Sequence, residues 1–322
     1  MKRTREDREP LGPALPLATP WVINVDPASA CNFKCGYCFQ SSGDMKTKGI
    51  MQWSTYKRII KDIGEFDKPI KTLRLYAFGE PLLNPHFAKM VKYAKDKGVC
   101  GDIDTTTNAS QLTKELICNI IDAGLDRINI SIVGMNSEQY KKFSNAKVDF
   151  DRLVENISYL YENRRKCTVF IKINRDLISS EDASKFYKTF KPIADGVALE
   201  HVMDCWYDVN MAGVETNRKV GVYGQPLTYV NVCPYIFYSF CVQFDGEVSP
   251  CFLDWNRKLV VGDIREESLR DIWNGYRLND FYKVMLLGQR KHMYICKSCN
   301  QLVAGQPVNI DHIADELIRN LP

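Results

Sequence analysis

From Trp21 to about Val202 the apolar positions switch repeatedly between two periods. Short runs rich in β-branched residues lie at 21–28, 72–79, 102–108, 127–134, 167–174 and 196–202, and each reads as a strand. Amphipathic stretches between them predict helices at 53–66, 86–98, 111–123, 137–143 with 149–164, and 180–191. In 149–164, Phe150, Leu153, Ile157, Leu160 and Tyr161 fall at i, i+3, i+7, i+10 and i+11, one face of an α-helix. This alternation predicts parallel strands joined by right-handed crossovers, hence an α/β barrel or open sheet. Ligands in such folds sit at the carboxyl ends of the strands.

Residues 203–232 break the rhythm with Gly, Asn and Pro and read as a connector or substrate loop. The stretch FYSFCVQFDGEVSPCFL then predicts a β-hairpin around Asp245-Gly246, and 268–285 predicts a helix. Residues 1–20 are basic and then proline-broken, without the continuous apolar core of a secretory signal, and are expected to form a flexible tail. The division expected is therefore a tail at 1–20, a barrel at 21–202, a connector at 203–232 and a small C-terminal domain, a hairpin plus a helix, at 233–322.

The chain has 322 residues, 45% hydrophobic and 25% charged, which excludes a disordered chain. Lys and Arg number 43 against 39 Asp and Glu; the net charge of +4 is too small to argue for nucleic acid or a membrane surface. No apolar run approaches a membrane span, and mean hydropathy is −0.27. A soluble, cytoplasmic protein without membrane or nucleic-acid partners is expected. Twelve cysteines are then the anomaly, because spaced cysteines in a reducing compartment point to metal before disulfides.

Cys100, Cys118, Cys167, Cys205 and Cys241 stand singly, whereas seven others form two groups. Cys31, Cys35 and Cys38 are spaced C-x3-C-x2-C directly after the first strand. Three thiolates hold three corners of a four-iron cluster and leave one iron open to a ligand; zinc would ask for a fourth Cys or His, and His86 is the next histidine. Cys233, Cys251, Cys296 and Cys299 supply four ligands, enough for a closed cluster or for structural zinc. Cys241, on the hairpin, is an alternative fourth ligand.

The string CNFKCGYC, with Tyr37 before its third cysteine, resembles the cluster motif of the radical S-adenosylmethionine (radical SAM) enzymes. That resemblance implies a partial (β/α)6 TIM-like barrel, a SAM molecule chelated by the open iron, and a 5′-deoxyadenosyl radical that abstracts hydrogen from substrate. It also implies SAM contacts. Gly79 and Glu80, in Ala77-Phe78-Gly79-Glu80-Pro81, resemble the stretch that receives the SAM amino group, with Phe78 replacing a glycine. Thr106, Thr107 and Asn108 match the place of ribose contacts, and Ser131 matches a serine after the fourth strand. Ser144 stands where an arginine often meets the SAM carboxylate, so Lys172, a charge inside an apolar strand, is the replacement expected. Cys233, Gly246 and Cys251, spaced C-x12-G-x4-C, resemble the opening of SPASM and twitch extensions, with Cys296 and Cys299 completing one auxiliary cluster. Two [4Fe-4S] clusters and SAM are the implied cofactors, and a flavodoxin- or ferredoxin-type protein the implied reductant.

Among the groups resembled, an aminocyclitol dehydrogenase oxidises an alcohol to a ketone and sends the electron to its auxiliary cluster. The expected activity is that reaction on a carbohydrate, cyclitol or nucleotide-linked sugar. Two alternatives are a sugar or peptide epimerase, with Cys241 or Cys205 as hydrogen donor, and a peptide-modifying enzyme.

Overall fold

The computed structural model describes residues 9–41, 45, 47–209, 211 and 219–321. Six parallel strands follow the predicted order: β1 (Val22–Val25), β2 (Ile70–Leu75), β3 (Cys100–Thr107), β4 (Arg127–Ile132), β5 (Thr168–Asn174) and β6 (Gly196–Glu200). Between them run α1 (Trp53–Ile63), α2 (Phe87–Lys97), α3 (Lys114–Asp122), α4 (Ser137–Ser144), α5 (Phe150–Asn163) and α6 (Ser180–Phe190). The C-terminal part adds β7 (Ser239–Val242), β8 (Glu247–Ser249) and β9 (Gly262–Asp263), with α7 (Leu269–Asn274), α8 (Tyr276–Leu286), α9 (Gln301–Ala304) and α10 (Ala314–Arg319).

All nine strands belong to one sheet, in the order β6-β5-β4-β3-β2-β1-β7-β8-β9. The six parallel strands and the helices between them make a partial TIM-type barrel. The strand pattern explains which face is which. In β5, Val169, Ile171 and Ile173 are at most 2% exposed and join the helices in the main core. Phe170, Lys172 and Asn174 point the other way and are half-buried. Arg74, Asp104 and Arg127 sit opposite one another in register on β2, β3 and β4. The inner face of this barrel is therefore polar and partly open, as a binding surface must be.

Three features differ from expectation. The hairpin does not form a separate unit: β7 pairs in parallel with β1, Val22 opposite Ser239 and Val25 opposite Val242. Its turn is made by Gly246 at φ 108°, a conformation that favours glycine. The helix predicted at 268–285 is two helices, because the chain is extended at Gly275. The expected tail is packed from residue 9 onward: Leu11 is 2% exposed, Lys71 pairs with Glu9 at 2.6 Å, and Trp273 Nε1 donates to the Leu17 carbonyl at 2.8 Å. Residues 1–8 of that tail lie outside the described residues. Among the described residues no helix is long and apolar enough to cross a membrane.

Candidate functional site

Cys31, Cys35 and Cys38 lie on the loop leaving the carboxyl end of β1. The end of α4 anchors this loop: Lys34 N donates to the Ser144 carbonyl at 2.8 Å and Gly36 N to the Phe143 carbonyl at 3.1 Å. These are orphan carbonyls of a helix terminus, so one set of unpaired groups satisfies the other. Ser144, where an arginine was sought, thus serves through its main chain, and its hydroxyl donates to the Tyr140 carbonyl at 2.7 Å. The thiols carry few partners of their own. Phe33 N donates to Cys31 Sγ at 3.4 Å, and Asn108 Nδ2 lies 4.0 Å from the same sulfur. Burial pushes the Cys35 and Cys38 thiols up to about 12, as expected where only a bound metal would draw off the proton.

Gly79 abuts this loop closely. A Cβ there would stand 2.2 Å from the carbonyl oxygens of both Ala28 and Ala30, so only glycine fits. The next residue, Glu80, donates its N–H to the Ala30 carbonyl at 2.9 Å. Its carboxylate, 2% exposed, accepts from Thr107 Oγ1 at 2.5 Å, Asn108 N at 2.7 Å and Leu82 N at 3.1 Å. Asn108 in turn donates to Asn32 Oδ1 at 3.0 Å. Thr107 and Asn108, expected as SAM contacts, have these bonds in the structure: the Thr107 hydroxyl and the Asn108 main chain hold the Glu80 carboxylate, and the Asn108 side chain reaches Asn32, a knot tying the ends of β2 and β3 to the cluster loop. They position the loop. Burial raises the Glu80 carboxyl to about 7 despite three donors.

Beside the loop a cavity of about 200 Å³ opens at the carboxyl ends of β4, β5 and β6. Tyr37, Ser131, Lys172, Glu200, His201 and Cys205 are in its wall. The structure thus brings Tyr37, Ser131 and Lys172 together, as the sequence suggests. It corrects the reason for choosing Lys172, because that ammonium is already paired with Glu200 at 2.9 Å. A SAM carboxylate would have to share it.

The second cysteine group folds into a different setting. Cys233, Cys251, Cys296 and Cys299 come from three separate segments and line one pocket, otherwise walled by side chains such as Phe252, Phe281, Met285 and Leu302. Burial raises Cys233 and Cys296 to about 12. Arg290, 8% exposed, is in the same wall and donates to the Cys296 carbonyl at 2.7 Å. A buried cation beside four thiolates offsets the negative charge of a four-thiolate cluster. Four thiols set around one pocket can hold a four-iron cluster or a structural zinc ion.

Cys241 is not in that wall. It is wholly buried in a small cluster with Phe39, Phe78 and Trp255, which corrects its suggested role as an alternative ligand and keeps it out of the polar cavity. Cys205 is the single cysteine that lines both the four-thiol pocket and the polar cavity. The connector holds it there. Asn300 Nδ2 donates to the Asp204 carbonyl at 3.0 Å, and Tyr207 Oη donates to the buried Asp254 at 3.0 Å. Sequence reasoning missed Glu200, His201 and Arg290. The first two stand at the carboxyl end of a predicted strand, where a ligand was expected; nothing in the spacing marks Arg290.

Residues 25–183 match the Radical SAM superfamily and residues 233–300 an iron-sulfur cluster-binding domain of SPASM type. The S-adenosyl-L-methionine-dependent 2-deoxy-scyllo-inosamine dehydrogenase of Niallia circulans is 24% identical over 298 residues, 91% of this chain and 97% of the relative. The AdoMet-dependent heme synthase of Methanosarcina barkeri is 28% identical over 184 residues, 57% of this chain and 50% of the relative. Among solved structures, BtrN in complex with AdoMet and 2-DOIA superposes with a TM-score of 0.59 at 22% identity, covering 87% of this chain and 92% of that one. Streptococcus suis SuiB bound to S-adenosylmethionine gives 0.64 at 15% identity, covering 88% and 72%. With its partial barrel, its three-cysteine loop and its four-thiol pocket, this chain is a radical SAM enzyme carrying a SPASM iron–sulfur domain.

Proposed function

We propose that the enzyme oxidises an alcohol carbon of a carbohydrate or aminocyclitol to a ketone. The observation that carries this reading is the shared wall at Cys205: a polar cavity beside the three-cysteine loop abuts an apolar pocket with four spaced thiols. The end-to-end likeness to an aminocyclitol dehydrogenase supports the same reading. When bound, the first cluster with SAM supplies a carbon-centred oxidant, and the second supplies an electron acceptor. The cluster residues implied are Cys31, Cys35 and Cys38 for the first, and Cys233, Cys251, Cys296 and Cys299 for the second.

The protein's own share is binding, orientation and exclusion of water. Gly79 and the Glu80–Thr107–Asn108 knot fix the cluster loop, while Tyr37, Ser131 and Lys172 present a polar floor to SAM. The Lys172–Glu200 pair offers charge-assisted partners for hydroxyl or amino groups of a small polar substrate. A flavodoxin- or ferredoxin-type protein delivers the priming electron.

A second reading, epimerisation, draws on the same wall, since Cys205 stands where a thiol would return hydrogen to a substrate carbon. The test is anaerobic turnover of sugars and aminocyclitols in heavy water. Oxidation yields ketone and 5′-deoxyadenosine in equal amounts, with no solvent deuterium on carbon. Deuterium at an inverted stereocentre, lost in Cys205→Ala, overturns oxidation in favour of epimerisation.

A further inference from the structure

Oxidation of an alcohol needs a place for the hydroxyl proton, and the cavity wall narrows the choice. Its titratable side chains include Tyr37, Lys172, Glu200, His201 and Cys205. Lys172 is a cation and has no acceptor to offer. The Glu200 carboxylate is paired through one oxygen with Lys172 at 2.9 Å and is placed to bind substrate with it. Tyr37 stands on the cluster loop next to Cys38, and Cys205 also lines the four-thiol pocket. His201 is the side chain whose surroundings orient it toward the cavity from outside both cysteine sites.

The surroundings of His201 are built. Its Nδ1 lies 2.7 Å from Asp176 Oδ1, and the other Asp176 oxygen accepts from Val202 N at 2.7 Å. The carboxylate is fixed by the backbone and has only acceptors to offer, so it pairs with a proton on Nδ1 and leaves Nε2 as the ring atom for the substrate. Asp176 comes from the turn after β5 and His201 from the end of β6, where Leu199 and Glu200 pair with Ile173 and Asn174. The side chains are 12% and 20% exposed, a contact shielded from solvent but open to the cavity. An imidazole oriented through Nδ1 by a half-buried, backbone-fixed carboxylate has the geometry of a general base.

We propose that His201 is the base that takes the hydroxyl proton of the substrate, with Asp176 as its positioning residue; this rests on the oxidation reading above. In the step, the carbinol carbon loses a hydrogen atom to the oxidant that SAM supplies. The hydroxyl oxygen loses its proton to Nε2, and the one remaining electron passes to the cluster of the four-thiol pocket. A C–H and an O–H bond break; a C–H bond in 5′-deoxyadenosine, an N–H bond on His201 and the second C=O bond form. The proton then leaves to solvent.

The experiment uses the reconstituted holoenzyme and an alcohol substrate deuterated at its carbinol carbon. In His201→Ala, deuterium should still reach 5′-deoxyadenosine, while ketone formation falls by about 100-fold, the usual worth of a general base. Added imidazole should restore ketone in that variant. Asp176→Asn should lower kcat with KM little changed. Should His201→Ala lose iron or SAM binding through misfolding, His201→Gln carries the same comparison. An independent readout is the ¹⁵N spectrum of histidine-labelled holoenzyme, where His201 should be protonated on Nδ1 alone and should lose that preference in Asp176→Asn. Wild-type ketone formation that His201→Ala leaves unchanged, or a ring protonated on both nitrogens, overturns the base. A wild-type enzyme that makes no ketone overturns the oxidation reading itself.

Discussion

The two cysteine sites solve opposite problems with the same ligand. The three-cysteine loop is held from behind by backbone, by the carbonyls that end α4 and by the Glu80 knot, and its front faces a polar cavity. The four-thiol pocket has apolar walls and a buried arginine, with Cys205 as a fifth thiol on its rim. On the proposed reading, the first admits a reactant and the second stores an electron. A site that binds has its supports behind it, in main chain and a buried polar knot, leaving its front free; a site that stores charge can be walled in hydrocarbon.

The largest expected effect breaks one site and leaves the other. Changing Cys31, Cys35 and Cys38 together to Ala should reduce iron from about eight to about four per chain and abolish SAM cleavage, by iron analysis and product assay. Zinc in the C-terminal site would undo the comparison. Gly79→Ala should act on the first site alone, since its Cβ meets two carbonyl oxygens of the cluster loop at 2.2 Å. SAM affinity, measured by calorimetry, should fall at least about tenfold, the worth of roughly 1.4 kcal/mol and typical of overpacking. Auxiliary-cluster content should be unchanged.

The knot also predicts a pH dependence. Burial raises Glu80 from 4.5 to about 7, so between those values the folded chain binds a proton that the unfolded chain has released. The stabilising contribution is complete below about 4.5 and is lost as pH rises through 7, by on the order of 3 kcal/mol. Asp26, raised from 3.8 to about 7 by burial, adds a loss of the same sign. Denaturant midpoints should therefore fall from pH 5 to pH 8, and more gently in Glu80→Gln; a parallel slope in that variant contradicts the assignment. The smallest effect belongs to Arg290→Gln. Removing the cation should make the auxiliary cluster harder to reduce, by on the order of 60 mV, equivalent to tenfold for one electron. Redox titration followed by electron paramagnetic resonance should show the first cluster unmoved.

Much of this could be read along the chain because it rests on local periodicity. The six strands and their helices need only apolar spacing, and the bounds moved by few residues: 127–134 became Arg127–Ile132 and 149–164 became Phe150–Asn163. The cluster cysteines were legible because their spacing is itself the chemistry. What escaped depends on pairing between distant segments. Glu200 lies 28 residues past Lys172, and no periodicity says that one neutralises the other. The parallel pairing of β7 with β1 joins residues more than 200 apart. The bonds from Lys34 and Gly36 to the end of α4 use main-chain atoms, which carry no residue-specific mark. Gly275, an ordinary residue to the eye, split a helix because the backbone there is extended.

The pairing of β1 with β7 has a consequence for how the protein is made. β1 is made more than 200 residues before β7, and one of its two edges stays bare until residues 239–242 follow. For most of synthesis the nascent barrel therefore carries an unsatisfied row of main-chain donors and acceptors, a template for mispairing with other chains. The hairpin that covers this edge leads from Cys233 to Cys251, so loss of iron from the C-terminal pocket would loosen the cover as well. Should the pocket hold iron, chelation during refolding is expected to lower soluble recovery through this edge.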